Sequence, residues 1–268
     1  MSDAIIEHGR LIFLHIPKTA GTSLHDVLTG YFRSDEICPE RRRDLSQKPQ
    51  EYFEPYRFFS GHFTAESIAR VPGRKFAFTI LRNPHERIVS LYYFWRRHSE
   101  AVIRANNLAG PRLARELTMK EFLSLDAPIP RNYIKNEMTR VLAGDVFTEK
   151  GDIYYELKDG KRIPIEKFEI IRRAMATLSQ LDFVFFVETL DRDFPVLCKM
   201  LGMDPVPAFP RKNTRDEVRP DLEAVQEEVL DEEHTRLLNR NTELDRLIYS
   251  LARVRRADVL RRQSQSPG

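Results

Sequence analysis

Little cysteine and no long apolar run are the first limits this sequence sets. Among 268 residues there are two cysteines, Cys38 and Cys198, too few for a disulfide framework. No Cys/His cluster has the four-ligand pattern of a structural zinc site. No apolar stretch reaches the roughly 20 residues of a membrane span. The charged start MSDAIIEHGR passes into a short apolar run without a secretory-leader pattern, so the expectation is a cytoplasmic protein. Net charge is small too: Lys+Arg number 43 against Asp+Glu 40, a formal +3. That balance argues against general nucleic-acid binding, which needs a basic face or stripe, but leaves room for local basic clusters that hold small anions. No internal repeat is visible. What is plentiful is core: 41% of residues are hydrophobic. The length suits one α/β domain with insertions, expected over residues 1–256, with 257–268 as a disordered tail. Oligomeric state is not legible.

The chain then reads as alternating elements. Residues 11–16, LIFLHI, stop at Pro17 and form a buried parallel strand. Leu24, Val27, Leu28 and Tyr31 follow at helical spacing. YRFFSGH (56–62), KFAFTIL (75–81) and DFVFFVE (182–188) are further strands. Asn83 as N-cap, Pro84 at N1 and Glu86 at N3 open a helix after the third, and Thr118 with Glu121 opens another. Residues 131–142 read as a helix ending at Gly144. Another runs from Pro164 to about Gln180, one follows the fourth strand and stops at Gly202, and 221–256 reads as charged helix. Segments 33–55 and 203–220 read as loops. The pattern predicts a P-loop-like three-layer α/β fold, with a central parallel sheet flanked by helices and carrying helical insertions. Ligands of such sheets sit at the carboxyl ends of the strands, where three polar motifs fall: 17–23, 61–62 and 82–90.

The first motif is PKTAGTS, from Pro17 through Lys18, Thr19, Ala20, Gly21 and Thr22 to Ser23. Unpaired N–H groups at a helix start, with the helix dipole, attract an anion. Gly21 permits close approach, the hydroxyls add donors, and Lys18 adds a full charge. The motif is not G-x-x-x-x-G-K-[ST]: the first Gly is missing and no Lys directly precedes Thr22. Arg82, at a strand end, is an anion ligand candidate. Ser90 lies about 10 Å along the helix from its start at 1.5 Å per residue, and taken alone is a polar-face residue. His62 follows a strand and a Gly, where a neutral imidazole suits proton abstraction or a loop histidine bonds the backbone. His15, inside the first strand, reads as structural.

FLHIPKTAGTSL and ILRNPHERIVSLYYFWR together resemble the sulfotransferase superfamily, most closely the branch of carbohydrate 2-O-sulfotransferases and their bacterial relatives. GHF (61–63), NEMTRVLAG (136–144) and DFVFFVETLDRDFPVLCKMLG (182–202) extend the likeness across most of residues 10–215. The resemblance implies a P-loop-like fold and 3′-phosphoadenosine 5′-phosphosulfate (PAPS) as sulfate donor, with adenosine 3′,5′-bisphosphate as product and no metal. It implies that residues 17–23 hold the 5′-phosphosulfate, with Lys18 at the bridging oxygen, and that Arg82 and Ser90 bind the 3′-phosphate. His62 is then the base. Arg211 and Lys212, in RKNTR, match a late basic loop that closes over the sulfate donor, or form a solvated loop. The acceptor would be a hydroxyl, in a saccharide or glycoconjugate by likeness to the branch, or in a lipid or secondary-metabolite alcohol. Segments 33–55 and 98–165 are the expected insertions. The charged run 161–173, with Lys161, Arg162, Arg172 and Arg173, would line a groove for an acidic sugar or make one face of a helix. A rival from another class is an ATP- and Mg²⁺-dependent phosphotransferase, with Glu188 on the metal side.

Overall fold

A computed structural model describes residues 9–203 and 221–265, with side chains to Ala257. The elements run β1 (Arg10–Leu14), α1 (Gly21–Thr29), β2 (Phe58–Gly61), α2 (Ala65–Arg70), β3 (Lys75–Leu81), α3 (Pro84–Arg96), α4 (Glu100–Ala105), α5 (Ala109–Glu116), α6 (Met119–Ser124), α7 (Pro128–Ile134) and α8 (Glu137–Ala143). Then come β4 (Val146–Glu149), β5 (Ile153–Lys158), β6 (Lys161–Pro164), α9 (Lys167–Gln180), β7 (Phe183–Phe186), α10 (Leu190–Leu201), α11 (Glu232–Asn241) and α12 (Glu243–Gln265). Four strands make a wholly parallel sheet in the order β2-β1-β3-β7. The α/β architecture expected from the alternation is present.

Both faces of that sheet are covered, which is why its strands are continuous apolar runs rather than alternating ones. From β1, Leu11 and Phe13 pack with Leu24 and Leu28 of α1 and Phe194 and Leu197 of α10. Ile12 and Leu14 turn the other way, into a core with Leu142 of α8, Ala174 of α9 and Ile248 of α12. A third cluster joins Ile88, Leu91 and Tyr92 of α3 to Phe122 of α6 and Leu238 of α11. The α3 start is capped as expected: Asn83 Oδ1 accepts from the main-chain N–H groups of His85 and Glu86. Thr118 and Glu121 form the capping box of α6.

Three segments differ from the periodic reading. The single helix expected over 131–142 is two, α7 and α8, broken at Asn136, whose φ is +48°. Asn tolerates the left-handed region, and here its side chain makes three hydrogen bonds. Oδ1 accepts from the N–H groups of Leu244 and Asp245, and Nδ2 donates to the Tyr154 hydroxyl. Residues 146–164 form an antiparallel sheet, β4-β5-β6, so Pro164 ends a strand and α9 starts at Lys167. Residues 222–230 are not helical but a strap along α3: Glu223 N–H donates to the Arg97 carbonyl at 2.6 Å, and Glu228 Oε1 accepts from the Tyr92 hydroxyl at 3.0 Å.

Candidate active site

β1, β2 and β3 run parallel and end at one sheet edge, where the segments that follow them meet around a cleft of about 1180 Å³. Pro17, Lys18, Ala20, Gly21, Thr22 and Ser23 line it. Lys18 and Ala20 have φ of +68° and +61°, a conformation that costs roughly 1–2 kcal/mol for a residue with a Cβ. Main chain that enters and leaves the left-handed region turns successive N–H groups into a concave, anion-binding nest. Ala20 is also the N-cap of α1, and no side-chain hydrogen bond caps that helix start, the end of a helix whose N–H groups attract an anion. Thr19 stands apart from its neighbours. Its hydroxyl is fully buried and donates to the Ile16 carbonyl at 2.8 Å, bracing the loop from beneath. The Lys18 ammonium lies 3.6 Å from the centroid of the Phe94 ring.

The second motif reaches the same cleft from α3. Arg82 Nη1 donates to the Lys18 carbonyl at 3.4 Å, and Nη2 pairs with Glu86 at 3.2 Å. Its Nε is buried without a hydrogen-bond partner among the described residues. Ser90, two turns along α3, also lines the cleft. Ser90 and Phe94 are four residues apart, hence on one helix face. That face meets the loop at Lys18.

His62 is exposed to the cleft and held by main chain on two sides. Its Nδ1 lies 2.8 Å from the His15 carbonyl. A carbonyl only accepts, so Nδ1 carries the proton and Nε2 keeps its lone pair. The His62 N–H donates to the Arg41 carbonyl at 2.7 Å. Although one side of the ring is open to the cleft, the protein atoms packed around the rest displace water and push the imidazole below its ordinary 6.5; the bond to His15 opposes this, and the charges of Arg41 and Arg42 reinforce it. Gly61 lets this chain crossing exist, because a Cβ there would sit 2.4 Å from the Arg41 carbonyl oxygen. Arg42 and Arg43 line the cleft beside His62, with Arg43 paired to Asp145 at 3.2 Å.

The opposite wall was not read from the sequence. It comes from α7, α8 and β4, with Asn132, Tyr133, Glu137, Arg140 and Phe147. Arg87, taken alone a helix-face charge, is fully buried and donates to Glu137 at 2.7 Å. Burial raises the Glu137 carboxyl, against the pull of Arg87 and Arg140. Burial also lowers Arg140, to about 10, while each of its three guanidinium nitrogens donates to a carbonyl, of Lys135, Val146 and Asn132. The one local signal was the stretch NEMTRVLAG; its partner is 50 residues away.

Other expected residues fall elsewhere. Arg211 and Lys212 lie outside the described residues. Of the charged run, Lys161 and Arg162 are on exposed β6, and Arg172 and Arg173 pair with Glu169 at 2.7 Å each. Glu188 spends both oxygens on the fold: Oε1 accepts from Asn83 N–H at 2.6 Å and Oε2 from the Tyr249 hydroxyl at 3.0 Å. Among the described residues no helix is long and apolar enough to cross a membrane.

A family model described as Sulfotransferase family matches residues 4–252. No curated protein matches the chain.

Proposed function

Because this chain belongs to the sulfotransferase family, we propose that it moves a sulfuryl group from PAPS to a hydroxyl acceptor, a saccharide hydroxyl in our reading, and releases adenosine 3′,5′-bisphosphate. The observation that carries this reading is the meeting of loop 17–23, Arg82 and His62 around one cleft. The loop takes the 5′-phosphosulfate on its N–H groups and the Thr22 and Ser23 hydroxyls. Arg82 and Ser90 take the 3′-phosphate, and Arg211 and Lys212 add charge from the later loop. The acceptor oxygen forms a bond to sulfur as the S–O bond to the phosphate breaks. The acceptor proton goes to His62 Nε2, and the electron pair stays on the former bridging oxygen. Lys18 stabilises that oxygen as its charge develops. Arg42, Arg43, Asp44 and Asn132, polar residues that line the cleft, favour a saccharide over a lipid alcohol.

Calorimetry with three nucleotides tests the binding half. ADP and adenosine 3′,5′-bisphosphate share adenine, ribose and a 5′-phosphate, and only the second has a 3′-phosphate. A hydrogen bond to a charged group contributes roughly 1.5–3 kcal/mol, so the bisphosphate is expected to bind at least about tenfold tighter than ADP or ATP. Arg82→Ala should narrow the gap to ADP, and Ser90→Ala should narrow it less. Equal affinity of the unmutated protein for ADP and the bisphosphate contradicts the reading.

Turnover in EDTA separates it from phosphotransfer. A sulfuryl group carries less charge than a terminal phosphoryl group, and ammonium, guanidinium and helix N–H groups suffice to neutralise it. Activity is expected to persist in EDTA. Loss restored by Mg²⁺ would favour the phosphotransferase, although Glu188, its candidate metal-side carboxylate, is held by Asn83 and Tyr249.

A further inference from the structure

We propose that His15 is a second catalytic histidine, whose Nε2–H donates a hydrogen bond to the sulfuryl group during transfer. The proposal rests on the function proposed above and assigns a role to a side chain whose place in the first apolar run reads as structural.

His15 follows β1 directly and is 5% exposed. Its ring stacks on Phe13, with centroids 5.3 Å apart and planes 12° from parallel, and lies 4.4 Å from the ring of His62. The edge bearing Cδ2 and Nε2 lies against the first residue of α1: a Cβ on Gly21 would come within 2.1 Å of Cδ2 and 2.2 Å of Nε2. That edge therefore sits beneath the uncapped helix start, between the loop that would grip the phosphosulfate and the imidazole that would take the acceptor proton. His15 lines the same cleft as Lys18 and His62.

The proton's position follows from what surrounds the other nitrogen. Nδ1 is buried and has no hydrogen-bond partner among the described residues. A buried N–H without an acceptor costs more than a lone pair without a donor. The favoured neutral tautomer thus leaves Nδ1 bare and puts the proton on Nε2, on the Gly21 edge. Burial, and then the neighbouring His62 and Arg41, push the imidazole well below 6.5, so the ring is neutral at pH 7 and keeps this single donor. A phenylalanine would serve the stacking on Phe13 without an orphaned nitrogen. The histidine sacrifices packing energy there, the mark of a functional position. A donor clamped between Phe13, His62 and Gly21 needs no reorganisation when charge shifts on the sulfuryl oxygens, the condition under which one hydrogen bond acts most strongly in the transition state.

The test uses the whole protein and the variants His15→Phe and His15→Gln. The Phe variant is expected to lose about 100-fold in kcat while binding adenosine 3′,5′-bisphosphate, which lacks the sulfuryl group, as the unmutated protein does. The Gln variant, whose amide can donate, should keep more activity than Phe. Heteronuclear NMR of the ring nitrogens in histidine-labelled unmutated protein should find the His15 proton on Nε2, a measurement that stands even if a variant fails to fold. A proton on Nδ1, or a folded Phe variant with near-normal kcat, overturns the role of His15 and leaves the sulfotransferase reading intact. Absence of PAPS turnover in the unmutated protein overturns both, and the nucleotide titrations then show whether the donor site itself is at fault.

Discussion

Lys18→Ala is expected to lower kcat by about 100-fold or more while changing the affinity for adenosine 3′,5′-bisphosphate much less. The asymmetry follows from when the charge appears. In the ground state the bridging oxygen of the phosphosulfate is shared between two acidic groups. Only as the S–O bond breaks does it gain the charge that an ammonium can stabilise, and such an interaction enters kcat rather than binding. The Lys18 ammonium lies over the Phe94 ring, a contact of about 0.5–2 kcal/mol that holds Lys18 against the α3 face carrying Ser90. Lys18→Arg should not restore full activity, since a planar fork does not replace a compact charge. Single-turnover kinetics with saturating PAPS, beside calorimetry of product nucleotide, make the comparison. Near-normal turnover in Lys18→Ala removes the residue from the mechanism.

His62→Ala and His62→Asn are expected to lose about 10²- to 10⁴-fold in kcat and to bind PAPS normally. Asparagine can still donate to the His15 carbonyl but cannot take a proton, so the pair separates orientation from base catalysis. The pH profile adds a signed expectation. The competent form of the base is neutral and is lost as pH falls through its pKa. Burial, with Arg41 and Arg42, holds that pKa below 6.5. The acid limb of kcat/KM for PAPS, which reports the free enzyme, should therefore lie below pH 6.5. An acid limb above 6.5, or substantial activity in His62→Asn, points to another base.

Local signals carried much of this fold. KFAFTIL is β3 to the residue, and the caps at Asn83 and Thr118 act as their chemistry predicts, because a strand buried on both faces and a helix cap are written in adjacent residues. The sheet β4-β5-β6 is not legible in the sequence for the opposite reason. Its inward face includes Glu156, 7% exposed and paired with Arg173, so a charge stands where alternation demands an apolar residue. Its local signal is the turn between β5 and β6, Asp159-Gly160, with φ of +50° and +72°, a dipeptide that favours hairpins. In the candidate site, the cleft side built by β1, β2 and β3 was legible because its motifs follow strands. The far wall was not: Arg87 meets Glu137 across 50 residues, and spacing along the chain does not encode such a pair. The reading of 222–230 as helix failed because charged residues at helical spacing do not distinguish a helix from a strap whose N–H groups find partners on another element.

The hydrogen bonds that hold His62 have a bearing on how such a site drifts over evolutionary time. Many catalytic histidines are aligned by a carboxylate, which one codon change can delete. Here the ring is aligned by the carbonyl of His15 and its backbone by the carbonyl of Arg41, and every residue that mutation can introduce retains a carbonyl. The tautomer of the proposed base is thus insured against point substitution at position 15, and its backbone anchor against substitution at position 41. Substitution of Arg41 or Arg42 would instead raise the His62 pKa by removing a nearby positive charge and leave the ring's anchor in place. A lineage could then shift its working pH through these two arginines while the geometry of proton transfer is inherited unchanged.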